Sequence, residues 1–369
     1  GSTTVMCETI LRHAGYRVGA YTSPHLIHYN ERIRLDGRTA TDAELCDAFE
    51  RIDAARGNVP LTYFEFGTIA AFDLFHAAHI DIAVLEIGMG GRLDAVNAVD
   101  PDVAVLTAVD IDHTAWLGHT REAIGREKAG IFRHGRPAVC GDPNPPAVIA
   151  EEAGRLGANL LQIGRDFRIE RTPTDWTWRL GASLRSGLPH PSLRGDYQLY
   201  NAASALTALE MLQPRFPVTQ ADVRAGLLAG VIPGRFQVLP GRPVRVLDVA
   251  HNAQAARSLA ATLKQQAVSG RTLAVFGMLK DKDIASVIGP LADVVDRWYP
   301  ATLNVARGAT SAQLIESLAA AGVTATAQGF DDVHRAYAAA LADAGEPDRV
   351  VVFGSFHTVG DILAAHGKA

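Results

Sequence analysis

Residues 80–97 read "IDIAVLEIGMGGRLDAVN", an apolar, strand-sized run interrupted by Asp81, closed by Glu86 and followed by Gly88, Gly90 and Gly91. An apolar run of this length bounded by turn residues suits a strand buried in a sheet. Two more follow downstream, "DVAVLTAV" (102–109) and "RPAVCG" (136–141), and "YRVGAYT" (16–22) is strand-like upstream. Helical sequence separates them. Ser2, Thr3 and Thr4 open a first helix whose end suits Gly15. Thr41 and Glu44 form a T-x-x-E capping box for a helix over 42–56, with Leu45, Phe49 and Ile52 on one face. This alternation predicts an α/β fold in which a mainly parallel sheet is covered by helices.

Toward the middle of the chain the pattern changes. Within residues 160–181, "LLQIG", "DFRIERT" and "WTWRLG" predict short antiparallel strands, and "YNAASALTALEML" (200–212) predicts a helix. The stretch "VIPGRFQVLPGRP" (231–243), punctuated by Pro and Gly, predicts a linker. Beyond it the alternation restarts with "VRVLDVA", "TLAVFGM", "RWYPATL" and "RVVVFGS". Two domains are therefore expected, 1–240 and 241–369, as suits a chain of 369 residues.

Hydrophobic residues make up 48% and charged residues 20%, the balance of a folded globular protein. A net charge of −5 and a pI near 6.2 give no electrostatic reason to expect nucleic acid as a partner. The apolar runs are strand-sized and broken by Asp or Glu, so no membrane span is expected, and the N-terminus lacks the pattern of a signal peptide. Cys7, Cys46 and Cys140 make no C-x-x-C pair and are odd in number. Three reduced, mostly buried thiols in a cytoplasmic protein are expected.

In open α/β sheets chemistry gathers at the carboxyl ends of the strands. Glu86 ends one buried run, and a carboxylate there costs free energy unless it is paired with backbone amides or holds a cation. Gly88, Gly90 and Gly91 do not fit G-x-G-x-x-G and read as a turn that lets backbone approach a ligand. Asp110, Asp112 and His113 leave the next strand. Lys128 shares a helical face with Ile124, Ile131 and Phe132. It is either a lysine snorkelling off an apolar stripe or an amine kept near a charged site, where it could lose its proton and react.

Seven segments in order resemble the signatures of folylpolyglutamate synthase/dihydrofolate synthase, a branch of the Mur ligase superfamily. They are "TSPHL" (22–26), "FEFGTIAAF" (64–72), "EIGMGGRLDAVN" (86–97), "HTAWLGHTREAIGREKAGIF" (113–132), "PGRFQ" (233–237), "LDVAHN" (247–252) and "FGSFHTVG" (353–360). The resemblance implies a central P-loop ATPase domain followed by a smaller Rossmann-like domain, with the active site between them. It implies an ATP-dependent ligase acting on dihydropteroate or a reduced folate and on L-glutamate. The pterin substrate's carboxylate takes the γ-phosphoryl group to give an acyl phosphate, which the glutamate amine then attacks. The "FGSFHTVG" segment is most similar to the bifunctional bacterial type, and the family is usually monomeric.

Position by position, the resemblance assigns Ser23, Glu86 and His113 to magnesium and makes Lys128 the lysine that the family carbamylates, able then to hold a second magnesium. Gly1, Ser2, Asn201, Arg235 and Asp248 match ATP-contacting positions. From the residues alone, Asn201 reads as a polar residue opening an Ala-rich helix and Arg235 as a solvated linker charge. Thr62, Tyr63, Phe64 and Glu65, with Leu93, Asp94 and Ala95, match the pterin-binding segments, although Phe64 and Phe66 by themselves read as core aromatics. His251 and Ser355 are expected glutamate or phosphate contacts.

Two departures stand out. Many members read "DGAHNP" where residues 248–253 are "DVAHNA", which keeps Asp248, His251 and Asn252. The family's phosphate loop reads G-T-N-G-K-G-S, and Gly1-Ser2 looks like its end, with the first strand, most of the loop and its lysine expected to be missing. Gly-Ser is also a common expression scar. Two alternatives follow: a Mur ligase acting on a UDP-MurNAc-peptide, which would need a further N-terminal domain, or an inactive nucleotide- or pterin-binding fragment.

Overall fold

In a computed structural model, which describes residues 1–325 and 328–366, the chain divides into two compact units. The first comprises Gly1–Ser192 and Tyr197–Val231; the second comprises Leu193–Asp196 and the chain from Ile232 onward. The division thus falls before the 240/241 boundary expected from composition.

The first unit opens with α1 (Ser2–His13), β1 (Val18–Tyr21), β2 (Ile33–Leu35) and β3 (Arg38–Thr39). α2 (Asp42–Arg56) and α3 (Tyr63–Ala77) each start from a threonine capping box, Thr41 with Glu44 and Thr62 with Glu65. Next come β4 (Ile82–Leu85), β5 (Ala104–Leu106), α4 (Thr114–Leu117), α5 (Arg121–Ala129), β6 (Pro137–Cys140), α6 (Val148–Leu156) and β7 (Asn159–Gln162). β8 (Phe167–Arg171), β9 (Trp176–Leu180) and β10 (Ser183–Leu188) precede α7 (Tyr197–Leu212) and α8 (Gln220–Ala229).

β1 pairs in parallel with β4 and antiparallel with β2, giving the order β3-β2-β1-β4, while β5, β6 and β7 form a separate parallel sheet. A cavity of about 490 Å³ is lined by both β4 and β5, with Thr4, Cys7 and Leu11 of α1 and Leu209 of α7 among its walls. "LLQIG" departs from expectation: β7 runs parallel to β6, with Leu160 opposite Ala138. It is reached through the crossover helix α6, not through a hairpin. The antiparallel sheet is instead β10-β9-β8. Alternation along "WTWRL" turns Trp176 and Trp178 inward, both fully buried. Their indole N–H groups donate to the Pro189 carbonyl at 2.9 Å and to Thr207 Oγ1 of α7 at 3.0 Å.

The second unit contains β11 (Gln237–Leu239), β12 (Val244–Asp248), α9 (Ala253–Gln265), β13 (Thr272–Phe276), α10 (Ile284–Ile288), β14 (Arg297–Pro300), α11 (Ser311–Ala320), α12 (Val333–Asp343), β15 (Arg349–Phe353) and α13 (Phe356–His366). Its sheet runs β11-β12-β15-β13-β14, four parallel strands with β11 antiparallel at the edge. The stretch read as a linker therefore carries an edge strand, because Val238 pairs with Val246 of β12. Phe276, Trp298 and Phe353, with ring centroids 5.1 to 5.8 Å apart, centre a core shared with Leu259, Leu263, Val287 and Leu314.

All three cysteines are free, Cys7 and Cys140 buried and Cys46 exposed. Burial pushes the Cys7 thiol up to about 12 and the Cys140 thiol to about 11. Among the described residues no helix is long and apolar enough to cross a membrane.

Candidate active site

β1 and β4 lie side by side in parallel, so their carboxyl ends meet. The Glu86 amide donates to the Tyr21 carbonyl at 2.9 Å, extending the ladder one step past β4. Just beyond β1, the Ser23 amide donates to Glu86 Oε2 at 3.2 Å. The other oxygen, Oε1, is held by the amino group of Gly1, so the start of α1 abuts the same carboxylate. The Glu86 side chain stays 22% exposed.

Asn201 ties down the first turn of α1. It lies one turn inside α7, which begins at Tyr197, and so does not open that helix. Thr3 Oγ1 donates to Asn201 Oδ1 at 3.3 Å, Asn201 Nδ2 donates to Gln198 Oε1 at 2.9 Å, and Gln198 Nε2 donates to Ser2 Oγ at 3.3 Å. Two expected ATP contacts, Ser2 and Asn201, thus sit in one network.

Lys128 lies in α5 beside the buried Ile124, but the helix stops at Ala129, so Ile131 and Phe132 fall beyond it. Burial lowers the pKa of the Lys128 amine, and the charge of Asp112 partly offsets this. Gly1, Glu86 and Lys128 line the same cavity between β4 and β5; Ser23 and His113 are not among its lining residues. His113 has a left-handed backbone, φ 51°, at the start of α4, and its amide donates to Asp112 Oδ1 at 2.8 Å.

The glycines after Glu86 make close approaches to protein, where a ligand was expected. A Cβ on Gly88 would lie 2.4 Å from the Phe64 ring, and one on Gly91 would lie 2.8 Å from the Glu127 and Lys128 carbonyls. The Arg92 amide donates to that Glu127 carbonyl at 2.9 Å, so the loop is fastened to the end of α5. In this loop Asp94 accepts the Met89 and Val96 amides at 2.9 and 3.0 Å, and burial raises its pKa. Leu93 is 80% exposed.

Thr62 and Glu65 cap α3, so Glu65 serves the fold directly. Phe64 packs partly buried against Tyr21, with centroids 5.8 Å apart, while Tyr63 is 63% exposed. The Arg32 guanidinium, which sequence reasoning missed, lies 5.5 Å from the Tyr29 ring and 5.4 Å from the Tyr63 ring, and its Nε donates to His25 Nδ1 at 2.9 Å. Only its place after "TSPHL" could have flagged it.

In the second unit Asp248 ends β12. Its oxygens accept the Phe236 and Ala250 amides, each at 2.8 Å, which pins the "PGRF" turn. Burial raises the Asp248 pKa, with the nearby Arg235 charge and these amides working against it. Arg235 lies 6.0 Å from the centroid of the Phe356 ring, and the His251 ring lies 5.7 Å from it. His251 Nδ1 sits 2.8 Å from the Val249 carbonyl, which only accepts, so Nδ1 carries the hydrogen. Asn252 caps α9. The Thr358 hydroxyl donates to the Gly277 carbonyl at 2.7 Å, so the Ser355 hydroxyl donates to Thr358 Oγ1 at 2.8 Å and accepts the Thr358 amide at 3.0 Å. Ser355 thereby locks the ends of β13 and β15 to the start of α13.

Among the described residues no three His, Cys, Asp or Glu side chains gather at metal-ligating spacing. Magnesium keeps several waters and is held by one or two carboxylates together with substrate phosphates. A lone strand-end carboxylate beside a helix N-terminus suits that mode.

Residues 57–209 match the Mur ligase middle domain and residues 234–356 the Mur ligase glutamate ligase domain. The chain is 45% identical over 363 residues to the dihydrofolate synthase/folylpolyglutamate synthase of Escherichia coli K12, covering 98% of this chain and 83% of that protein. The chain belongs to the dihydrofolate synthase/folylpolyglutamate synthase family. The Haemophilus influenzae relative is 38% identical, over 99% of this chain and 86% of its own length. Among solved structures, E. coli FolC in complex with DHPP and ADP superposes with a TM-score of 0.94 at 44% identity, covering 100% of this chain and 86% of that one. The Yersinia pestis bifunctional enzyme complexed with AMPPNP and Mn ion gives 0.93 at 46% identity, with the same coverage. In this family the α/β architecture is the Mur-ligase-like one expected from the seven segments.

Proposed function

We propose that this chain joins L-glutamate to dihydropteroate and to the glutamate tail of folates, driven by ATP through an acyl phosphate on the acceptor carboxylate. The observation that carries the site assignment is the convergence of Glu86, the first turn of α1 and Lys128 on one cavity. Glu86 and Ser23, with His113, are the residues to hold magnesium. When bound, magnesium neutralises phosphate charge during transfer. Ser2 and Asn201 hold the helix N-terminus that faces the phosphates, and Arg235 contacts ATP, its turn held by Asp248 through the Phe236 amide. Thr62, Tyr63, Phe64 and Glu65, with Leu93, Asp94 and Ala95, hold the pterin, and His251 and Ser355 serve glutamate. Lys128, carbamylated, supplies a carboxylate for a second magnesium. The enzyme acts as a cytoplasmic monomer.

The test is phosphate release with ATP, magnesium, dihydropteroate and L-glutamate. One phosphate per dihydrofolate formed is expected; release with a UDP-MurNAc-peptide in place of the pterin would sink the reading. Lys128→Ala is expected to lower the rate about 10²-fold, the scale of losing a charge-stabilising group, with partial restoration by short carboxylic acids. Full activity in Lys128→Ala removes the carbamate.

A further inference from the structure

The loop that carries His113 and the helix that carries Lys128 belong to different elements, and an ion pair that the functional reading does not use joins them. Asp142, just past β6, is 5% exposed. Its Oδ2 accepts the Val109 amide at 2.8 Å and the Arg121 Nη2 at 3.1 Å, and its Oδ1 accepts the Asn144 amide at 2.9 Å. Arg121, the first residue of α5, donates Nε to the Val109 carbonyl at 2.9 Å and Nη2 to the Asn144 carbonyl at 2.7 Å. Both backbone polar groups of Val109 are therefore gripped by one pair. Val109 is 2% exposed and immediately precedes the Asp110–His113 loop. Lys128 lies about two turns along α5 from Arg121, on the same side of the helix.

We propose that Arg121 and Asp142 are positioning residues for the ligase reaction, holding the His113 loop in register with the helix that carries Lys128. The proposal rests on the functional reading above for its consequence, but not for its geometry. Arg121 has the planar fork that reaches a carboxylate and two carbonyls at once. A lysine can keep the charge pair but cannot hold all three. Neither residue touches substrate in this reading. A small displacement of the loop would misplace His113 against Lys128, and misplacements of about 1 Å cost about 10²-fold in rate.

The experiment combines hydrogen exchange by mass spectrometry on the substrate-free protein with steady-state kinetics, on wild type, Arg121→Met, Arg121→Lys and Asp142→Asn. Arg121→Met is expected to speed exchange over residues 109–113 at least about tenfold while leaving α2 unchanged. Its kcat is expected to fall about 10- to 100-fold with KM for L-glutamate within about twofold of wild type, and Arg121→Lys to recover part of the kcat. Wild-type exchange over 109–113, or wild-type kcat in folded Arg121→Met, overturns the proposal. If Arg121→Met does not fold, Asp142→Asn decides: faster loop exchange with lowered kcat supports the clamp, and wild-type values in both overturn it. Exchange is read without turnover, so a wild type that fails to ligate glutamate counts against the functional reading and leaves the clamp to be decided by exchange.

Discussion

Glu86 and Asp248 each stand at the carboxyl end of a parallel strand, β4 in one unit and β12 in the other, yet their surroundings differ. Asp248 is 6% exposed, and both its oxygens accept backbone amides, one from Phe236 in the turn before β11 and one from Ala250 just after β12. Glu86 accepts one backbone amide, from Ser23, on Oε2 and the Gly1 amino group on Oε1, yet its side chain remains 22% exposed beside the start of α1. A carboxylate saturated by backbone amides is part of the fold, whereas one with oxygen lone pairs still accessible can hold a cation. The same position in the same kind of sheet thus serves two purposes, and burial with amide count tells them apart.

The contrast breaks most sharply under substitution. Glu86→Gln keeps size and removes charge; a loss of about 10³-fold in ligation rate is expected, with the melting temperature unchanged within about 2 °C. A Glu86→Gln enzyme with near wild-type rates would return Glu86 to the class of amide-satisfied acids. Asp248→Ala strands the Phe236 and Ala250 amides without partners, and urea unfolding is expected to show a loss of about 2–4 kcal/mol. Unchanged stability would mean that the turn does not depend on this carboxylate.

A smaller effect comes from a third acid, Glu44, which is committed to a helix cap. Arg38 and then the Thr41 amide hold its carboxyl down to about 2. The folded value lies below the unfolded one, so its contribution is complete above the ordinary carboxylate range and is lost as pH falls through that range toward about 2. Urea unfolding of Glu44→Gln at several pH values is expected to show a shallower decline below about pH 5 than wild type.

Much of the architecture was legible in the sequence because it is written locally. The capping box at Thr41 and Glu44, the apolar runs behind β4, β5 and β6, and the four parallel strands of the second unit all follow from spacing and composition. What escaped depends on partners distant in sequence. The direction of β7 is set by its pairing with β6, and the strand character of Gln237–Leu239 by β12. At the site, Glu86 and Lys128 stood out as charged residues against apolar runs. Arg32, Arg121 and Asp142 did not, since an arginine or aspartate in polar sequence gives no hint that rings or backbone carbonyls will enclose it. The glycines after Glu86 read as a turn that lets backbone approach a ligand, whereas the structure sets Gly88 and Gly91 against protein, Phe64 and the carbonyls of Glu127 and Lys128, neighbours that only the tertiary fold brings there.

The most direct test of the distinction between the two acids is manganese binding followed by electron paramagnetic resonance, with saturating AMPPNP, on wild type, Glu86→Gln and Asp248→Asn. Wild type and folded Asp248→Asn are expected to take up manganese with the same stoichiometry, and Glu86→Gln to take up one ion fewer. Manganese bound by Glu86→Gln as tightly as by wild type would contradict the assignment of the β4 carboxylate to the cation.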